Sequence, residues 1–259
     1  MKRILTLILV IYSISSLAQD APPELVTDRP DQTESSSVVP HKSLQIETGF
    51  ILENDENDSY KQQTFVYNST LLRYGLLERM ELRLGLAYLS EEVKIKNTDT
   101  TNTSTGLSPL YAGFKIAIVE ESGWIPEIAF LGGLVMPFTA HDDFKAAYSA
   151  PAGRFAFTHT LSERFSLGYN LGAEWYGETA VPDYFYSIAL GIGITDKIGA
   201  YIEAFGFLRE EGRDNHLIDG GFTWLVLPNL QLDLSGGLGL TEESIDNYLS
   251  FGLSYRIPK

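Results

Sequence analysis

From about residue 43 onward, apolar and polar residues alternate one for one. Leu230, Leu232, Leu234, Leu238 and Leu240 share one parity, and Gln231, Asp233, Ser235, Gly237 and Gly239 share the other. Leu249, Phe251, Leu253, Tyr255 and Ile257 likewise oppose Ser250, Gly252, Ser254 and Arg256. Met80, Leu82, Leu84, Leu86 and Tyr88 oppose Glu81, Arg83, Gly85 and Ala87. A period of two is that of a β-strand, whose successive side chains point to opposite faces. A helix needs a recurrence near 3.6, which no segment sustains. The pattern predicts twelve strands, near 43–53, 63–74, 80–90, 108–118, 125–136, 151–160, 165–176, 184–194, 199–208, 216–226, 230–240 and 247–257. In 63–74 and 199–208 apolar residues occupy both parities, so neither face is assigned there.

The expected connections alternate in length. Those at 75–79, 119–124, 161–164, 195–198 and 227–229 are short. Those at 54–62, 91–106 and 137–150 are long and polar, and those at 177–183, 209–215 and 241–246 are modestly longer. An even number of antiparallel strands with short turns at one end and longer loops at the other is the pattern of an outer-membrane barrel. Both termini fall at the short-turn end, which is then periplasmic. Tyr74, Trp124, Trp224 and Tyr255 collect near that end, and Trp175, Tyr184 and Tyr186 near the other, as interfacial aromatic belts do. The expectation is an all-β fold: a single antiparallel transmembrane β-barrel of about twelve strands, an up-and-down meander over residues 43–259. A soluble sandwich or lipocalin-like barrel is the rival. Twelve strands with a polar outer face would enclose a large apolar cavity, whereas a Gly-rich, charged parity suits a crowded polar lumen.

Composition narrows the chemistry. Of 259 residues 44% are apolar, yet no run reaches the roughly 18 residues of a membrane helix. There is no Cys, which excludes disulfides, thiolate metal sites and a cysteine nucleophile. A formal charge of −15 argues against nucleic acid, whose phosphates call for Lys and Arg. Lys2 and Arg3, an apolar stretch over 4–14, and Ser16 and Ala18 before Gln19 have the order of a secretory signal peptide. Cleavage after Ala18 removes Lys2 and Arg3 and takes the charge from −15 to −17.

One parity of the strands carries isolated charges: Glu47, Arg73, Glu81, Arg83, Lys115, Glu127, Arg154, Glu174, Glu203, Asp219, Asp233 and Arg256. Facing lipid, such charges are costly; facing a lumen, they pair or meet water. Most lie in the periplasmic half of their strands, which predicts a mixed-sign belt near the inner mouth. Its two readings are structural pairing and a polar constriction that selects solutes. Residues 19–42 are unlike the rest. Thr27-Asp28-Arg29-Pro30-Asp31-Gln32-Thr33-Glu34 is polar and interrupted by Pro. It is expected to be either a solvated periplasmic tail or a short plug whose Asp28, Arg29 and Asp31 dock into the belt.

Candidate catalytic groups are sparse. His159 and Ser162 are near in sequence, but no third group is specified to orient a Ser–His pair. His141, Asp142 and Asp143 sit in an outer loop without a complete metal shell. Gly191 and Gly193, and Gly236, Gly237 and Gly239, lie in strands with no following helix, unlike phosphate loops. No enzyme, cofactor or metal is expected. The last strand ends in Tyr255-Arg256-Ile257, like the terminal signal read by the barrel-assembly machinery. Expected partners are outer-membrane lipid, that machinery and a small-molecule solute, with the barrel a monomer.

Several short runs carry a resemblance. They are Thr27-Asp28-Arg29-Pro30-Asp31-Gln32-Thr33-Glu34, then Leu44 to Glu47 before Gly49-Phe50, and Leu72 to Leu76 before Glu81-Leu82-Arg83. Gly106 to Pro109 before Gly113-Phe114-Lys115, Leu217 to Gly221, and Leu232-Asp233 add to them. Together they resemble the bacterial outer-membrane transporter family labelled "MetA-pathway of phenol degradation", over about residues 25–258. The export signal resembles those of Bacteroidetes. The resemblance implies an outer-membrane barrel that takes up small solutes, some of them aromatic or hydrophobic; the label does not make phenol the substrate. Competing expectations are a structural or surface-binding barrel with a closed lumen, and a lipid-modifying barrel enzyme.

Overall fold

A computed structural model describes residues 23–210 and 212–257; the expected signal segment 1–18 lies outside them. The described residues form β1 (Leu44–Glu56), β2 (Tyr60–Leu77), β3 (Met80–Ile95), β4 (Thr101–Leu107), β5 (Leu110–Val119), β6 (Glu127–Met136), β7 (Ala150–Thr160), β8 (Phe165–Glu174), β9 (Asp183–Gly193), β10 (Ile198–Arg209), β11 (Asn215–Leu227), β12 (Leu230–Gly239) and β13 (Asn247–Ile257). Two short 3-10 turns, Pro137–Thr139 and Asp142–Phe144, follow β6. No described helix is long and apolar enough to cross a membrane, which is silent about strands.

Neighbouring strands run antiparallel, and β13 returns to β1 in a register from Leu44↔Ile257 to Asn54↔Asn247. The sheet is therefore closed, and closure removes the unpaired edges that lipid cannot satisfy. β4 and β5 are two halves of one wall strand. Both lie on β3, β4 against Tyr88–Lys94 and β5 against Met80–Gly85. The break falls at Ser108-Pro109, where proline has no N–H to give the ladder. Counted as a wall, the barrel has twelve strands.

The alternation resolves as expected for a barrel in lipid. Leu234, Leu238, Leu249 and Phe251 are exposed, while Gln231, Asp233, Ser235, Ser250, Ser254 and Arg256 are buried. The two undecided strands have different explanations. In β2 the register slips between Val66 and Asn68. Thr64 and Val66 point inward before this bulge and Arg73 after it, so parity flips within the strand. In β10 parity is regular. Tyr201, Glu203 and Phe205 face in and Ile202 and Leu208 face out, so the lumen is itself apolar on this side.

Two expected loops are corrected. Residues 54–62 and 91–106 are mostly strand: β1 and β2 meet at a three-residue turn, and β3 runs to Ile95 and pairs with β4. These extensions rise beyond the lipid-facing belt, where water on both faces removes the apolar alternation. β-branched Thr101, Thr103 and Thr105 still favour extended backbone.

Candidate functional site

Residues 27–39 run inside the barrel, and the lumenal side chains hold them. The entry is fixed by Arg256, which donates to the carbonyls of Pro23 and Glu24 and to Gln45 Oε1, at 2.9–3.0 Å. Gln231 donates to Thr27 Oγ1. Arg29 crosses to β12 and β13, reaching Asp233 Oδ1 and Ser250 Oγ at 2.8 and 2.9 Å. Its guanidinium lies on Gly49 and Gly252, where a Cβ at either position would overlap it. These two glycines make the floor over which Arg29 passes.

Asp28 is the hub of a buried charge knot. Its carboxylate accepts from Lys115 Nζ at 2.9 Å and Arg83 Nη1 at 2.6 Å, with Arg73 Nη1 at 3.0 Å. Burial alone would push the Asp28 carboxyl up, but Arg73, Lys115 and Arg83 together hold it well below the usual carboxylate range. Arg73 also pairs with Glu47 at 2.8 Å and with Glu81 through Nε at 2.9 Å. Arg83 pairs with Glu81 and Glu34. Arg73, Lys115, Glu81 and Glu47 are at most 1% exposed, so only these pairs replace their water. The same groups grip the backbone. Glu47 accepts from the amides of Asp28 and Arg29, and Glu81 from that of Val39. The Ser37 carbonyl accepts from Arg73.

The far side of the lumen is different. The Gln32 amide and the Thr33 hydroxyl donate to Glu203, and Glu34 exchanges two backbone bonds with Asn170. Glu203 stands directly across the ladder from Asp219. Asp219 accepts from the hydroxyls of Tyr201 and Tyr248. Among the described residues Asp31, Glu203 and Asp219 pair with no cation. Burial first, and then the Glu203 carboxylate, push the Asp31 carboxyl well above its usual range.

Above this side lies a cavity of about 380 Å³, floored by Arg29 to Gln32. Its walls include Ile51, Phe205, Phe207, Leu217, Ile245 and Tyr248. Phe185 backs them, with its ring centroid 5.3 Å from that of Phe207. A second cavity of about 260 Å³ lies by Glu34, with Leu71, Tyr111, Leu131 and Val135 in its wall.

The expected belt is thus partly assembled. Glu47, Arg73, Glu81, Arg83 and Lys115 meet one another through Asp28. Asp233 meets Arg29. Four expected members stand apart from such pairing. Glu127 opens β6 and makes no ion pair among the described residues. Arg154 pairs with Glu174, lies 4.1 Å from the Phe185 ring centroid, and lines the second cavity beside Glu34 and Arg83 without pairing with the knot. Glu203 faces another acid, and Arg256 binds backbone carbonyls. Asp31 is drawn into the acidic side instead of meeting a base. Alternation marks which residues face inward but carries no information about which strands become neighbours across a lumen. Sequence reasoning missed Glu34, Gln45, Tyr201, Tyr248 and the apolar wall; the double-parity pattern of 199–208 was the wall's only signal. Elsewhere, His159 stacks on Tyr169, and the Ser162 hydroxyl accepts turn amides. No group of His, Asp or Glu among the described residues is placed to hold a metal.

The family model described as "Putative MetA-pathway of phenol degradation" matches residues 27–257. Among curated proteins, none matches the chain in sequence. Among solved structures, an outer-membrane channel from Pseudomonas putida F1 is similar at TM-score 0.70 and 12% identity, covering 90% of this chain and 100% of that one. The transport unit of the autotransporter AIDA-I from Escherichia coli is similar at TM-score 0.55 and 11% identity, covering 96% and 97%. The NanC porin is similar at TM-score 0.51 and 8% identity, covering 83% and 100%. At these identities the likeness is one of fold.

Proposed function

The chain belongs to the family described as "MetA-pathway of phenol degradation", and on that premise we propose that it is an outer-membrane channel for small, largely apolar solutes whose passage is gated by its own residues 27–39. The observation that carries this reading is the apolar wall of the cavity resting on that segment. Phe205, Phe207, Leu217 and Ile245 offer a binding wall inside a lumen whose side chains elsewhere are largely polar. Ligand sites are typically concave and mostly apolar, with a few placed polar groups. A lumen serving only hydrophilic diffusion would have no use for this wall. The structural neighbours named above are channels, porins and transport units, and the reading calls for no catalysis. In it the mixed charges have the structural role, fixing the segment, and the cavity has the selective one.

Delivery follows from the two ends of the sequence. Residues 1–18 direct export and are cleaved, and the apolar alternation ending at Tyr255 presents the last strand to the assembly machinery. The barrel acts as a monomer. Uptake of a small aromatic solute by cells lacking the protein, with and without a restored copy, tests the function. Restored uptake well above the deletion strain is expected. Equal uptake in both would contradict the channel.

A further inference from the structure

The apolar cavity is bordered by acid that nothing in the described structure neutralises. Asp31 and Glu53 line it, and neither makes an ion pair among the described residues. Behind Asp31 stand Glu203 and Asp219, directly opposite each other on β10 and β11. Two carboxyls so placed cannot both be charged without mutual cost. Asp219 is 9% exposed, and its Oδ1 is buried without a hydrogen-bond partner. The one base in the lining, Arg29, is committed to Asp233. A cation seated here would favour the ionised form of these crowded carboxyls, and in a low-dielectric wall that attraction is stronger than in water, so the cavity favours a cation and disfavours an anion. No described acid group converges as a metal shell would. The aromatic faces of Phe205, Phe207 and Tyr248 suit an organic cation, whose charge they attract through the ring quadrupole.

We infer that this cavity is a site for a small organic cation, an apolar body bearing an ammonium group, with Asp31 as the residue that reads the charge. The inference rests on the channel reading and adds the substrate class to it. In it the apolar wall takes the body of the solute. The ammonium sits toward Asp31, where it also relieves the Glu203–Asp219 repulsion.

The test is calorimetric titration of the purified full mature barrel with three probes of one ring size: benzylammonium, benzyl alcohol and benzoate, near pH 7.5. Benzylammonium is expected to bind at least fivefold more tightly than the alcohol, with benzoate weakest. D31N should lower the ammonium-to-alcohol affinity ratio at least threefold. Asp31 makes no ion pair among the described residues, so this variant keeps the segment's anchoring knot. F207A should weaken all three probes together. Equal affinities, tightest binding of benzoate, or a ratio unmoved by D31N would each overturn the inference. Flux of the same probes into proteoliposomes separates the two readings. Preferential binding without flux removes the channel and leaves the site; flux without preference removes the site and leaves the channel.

Discussion

The two sides of the lumen hold the same segment by opposite means. Toward β1, β2, β3 and β5, Asp28 gathers Arg73, Arg83 and Lys115, with Glu34, Glu47 and Glu81 completing the set. Toward β9, β10 and β11, Thr33 and Gln32 touch Glu203 and Ser187 by hydrogen bonds alone, and the nearest further charge is Asp219. On the first side every buried charge has an opposite partner, so losing one leaves several stranded. On the second the charges are alike, so losing one removes a repulsion. The first side therefore works as an anchor. The second is left electrostatically unsatisfied, and that is where the apolar cavity opens.

The largest effect should come from the anchor. D28A removes the hub that Arg73, Arg83 and Lys115 share and leaves buried Lys115 only Glu34, at 3.7 Å, a loss on the order of 3–5 kcal/mol for a broken buried pair. Hydrogen exchange of the Asp28, Arg29 and Val39 amides, which donate to Glu47 and Glu81, reads this directly. Strong deprotection is expected while the barrel strands stay protected. Retained protection would mean that the knot does not hold the segment.

An intermediate effect should come from the floor. G252A places a Cβ on the Arg29 guanidinium and should displace it from Asp233. Overpacking of this kind typically costs about 1–3 kcal/mol. Exchange at the Arg29 amide should rise, whereas the Val39 amide, anchored separately by Glu81, should change little.

The smallest effect should come from the acidic side, and with the opposite sign. E203Q keeps an acceptor for Gln32 and Thr33 while removing one of two facing carboxyls. Protection at Gln32 should stay within about 0.5 kcal/mol of the parent or rise. The pH dependence separates the sides in the same way. The Asp31 carboxyl titrates above its unfolded value, so the docked segment binds a proton that the free segment has lost. Docking on this side strengthens as pH falls from neutral toward about 4. The Asp28 carboxyl titrates below its unfolded value; its contribution is complete above that value and is lost as pH falls through the depressed one. Exchange corrected for its intrinsic pH dependence should therefore show the segment most protected in mild acid. Protection falling steadily from pH 8 downward would contradict the assignment for Asp31.

The wall of the barrel was largely legible in the sequence, because one parity meets lipid and the other a polar lumen. Residues 230–240 and 247–257 show this cleanly. The ambiguity of 63–74 is the signature of a bulge, which a strict period of two cannot represent. That of 199–208 arises because Phe205 and Phe207 face inward while remaining apolar, in the wall of the cavity. The extensions of β2, β3 and β4 read as loop in the sequence because water on both faces erases the alternation that lipid imposes. For the site, the membership of the knot was legible apart from Glu34, and its wiring was not. Asp28 reaches Lys115 across a gap of 87 residues, and only closure of the sheet brings them together. Glu127 and Arg154 shared the same parity signal, yet neither pairs within the knot; Arg154 borders it through Glu174 and the second cavity.

A segment seated inside the barrel must obstruct the lumen. Single-channel conductance of the mature chain in planar bilayers, against a variant lacking residues 20–37, measures it most directly. A several-fold rise in conductance on deletion, with the barrel still folded, is the predicted result. Equal conductance and equal stability in the two proteins would contradict it.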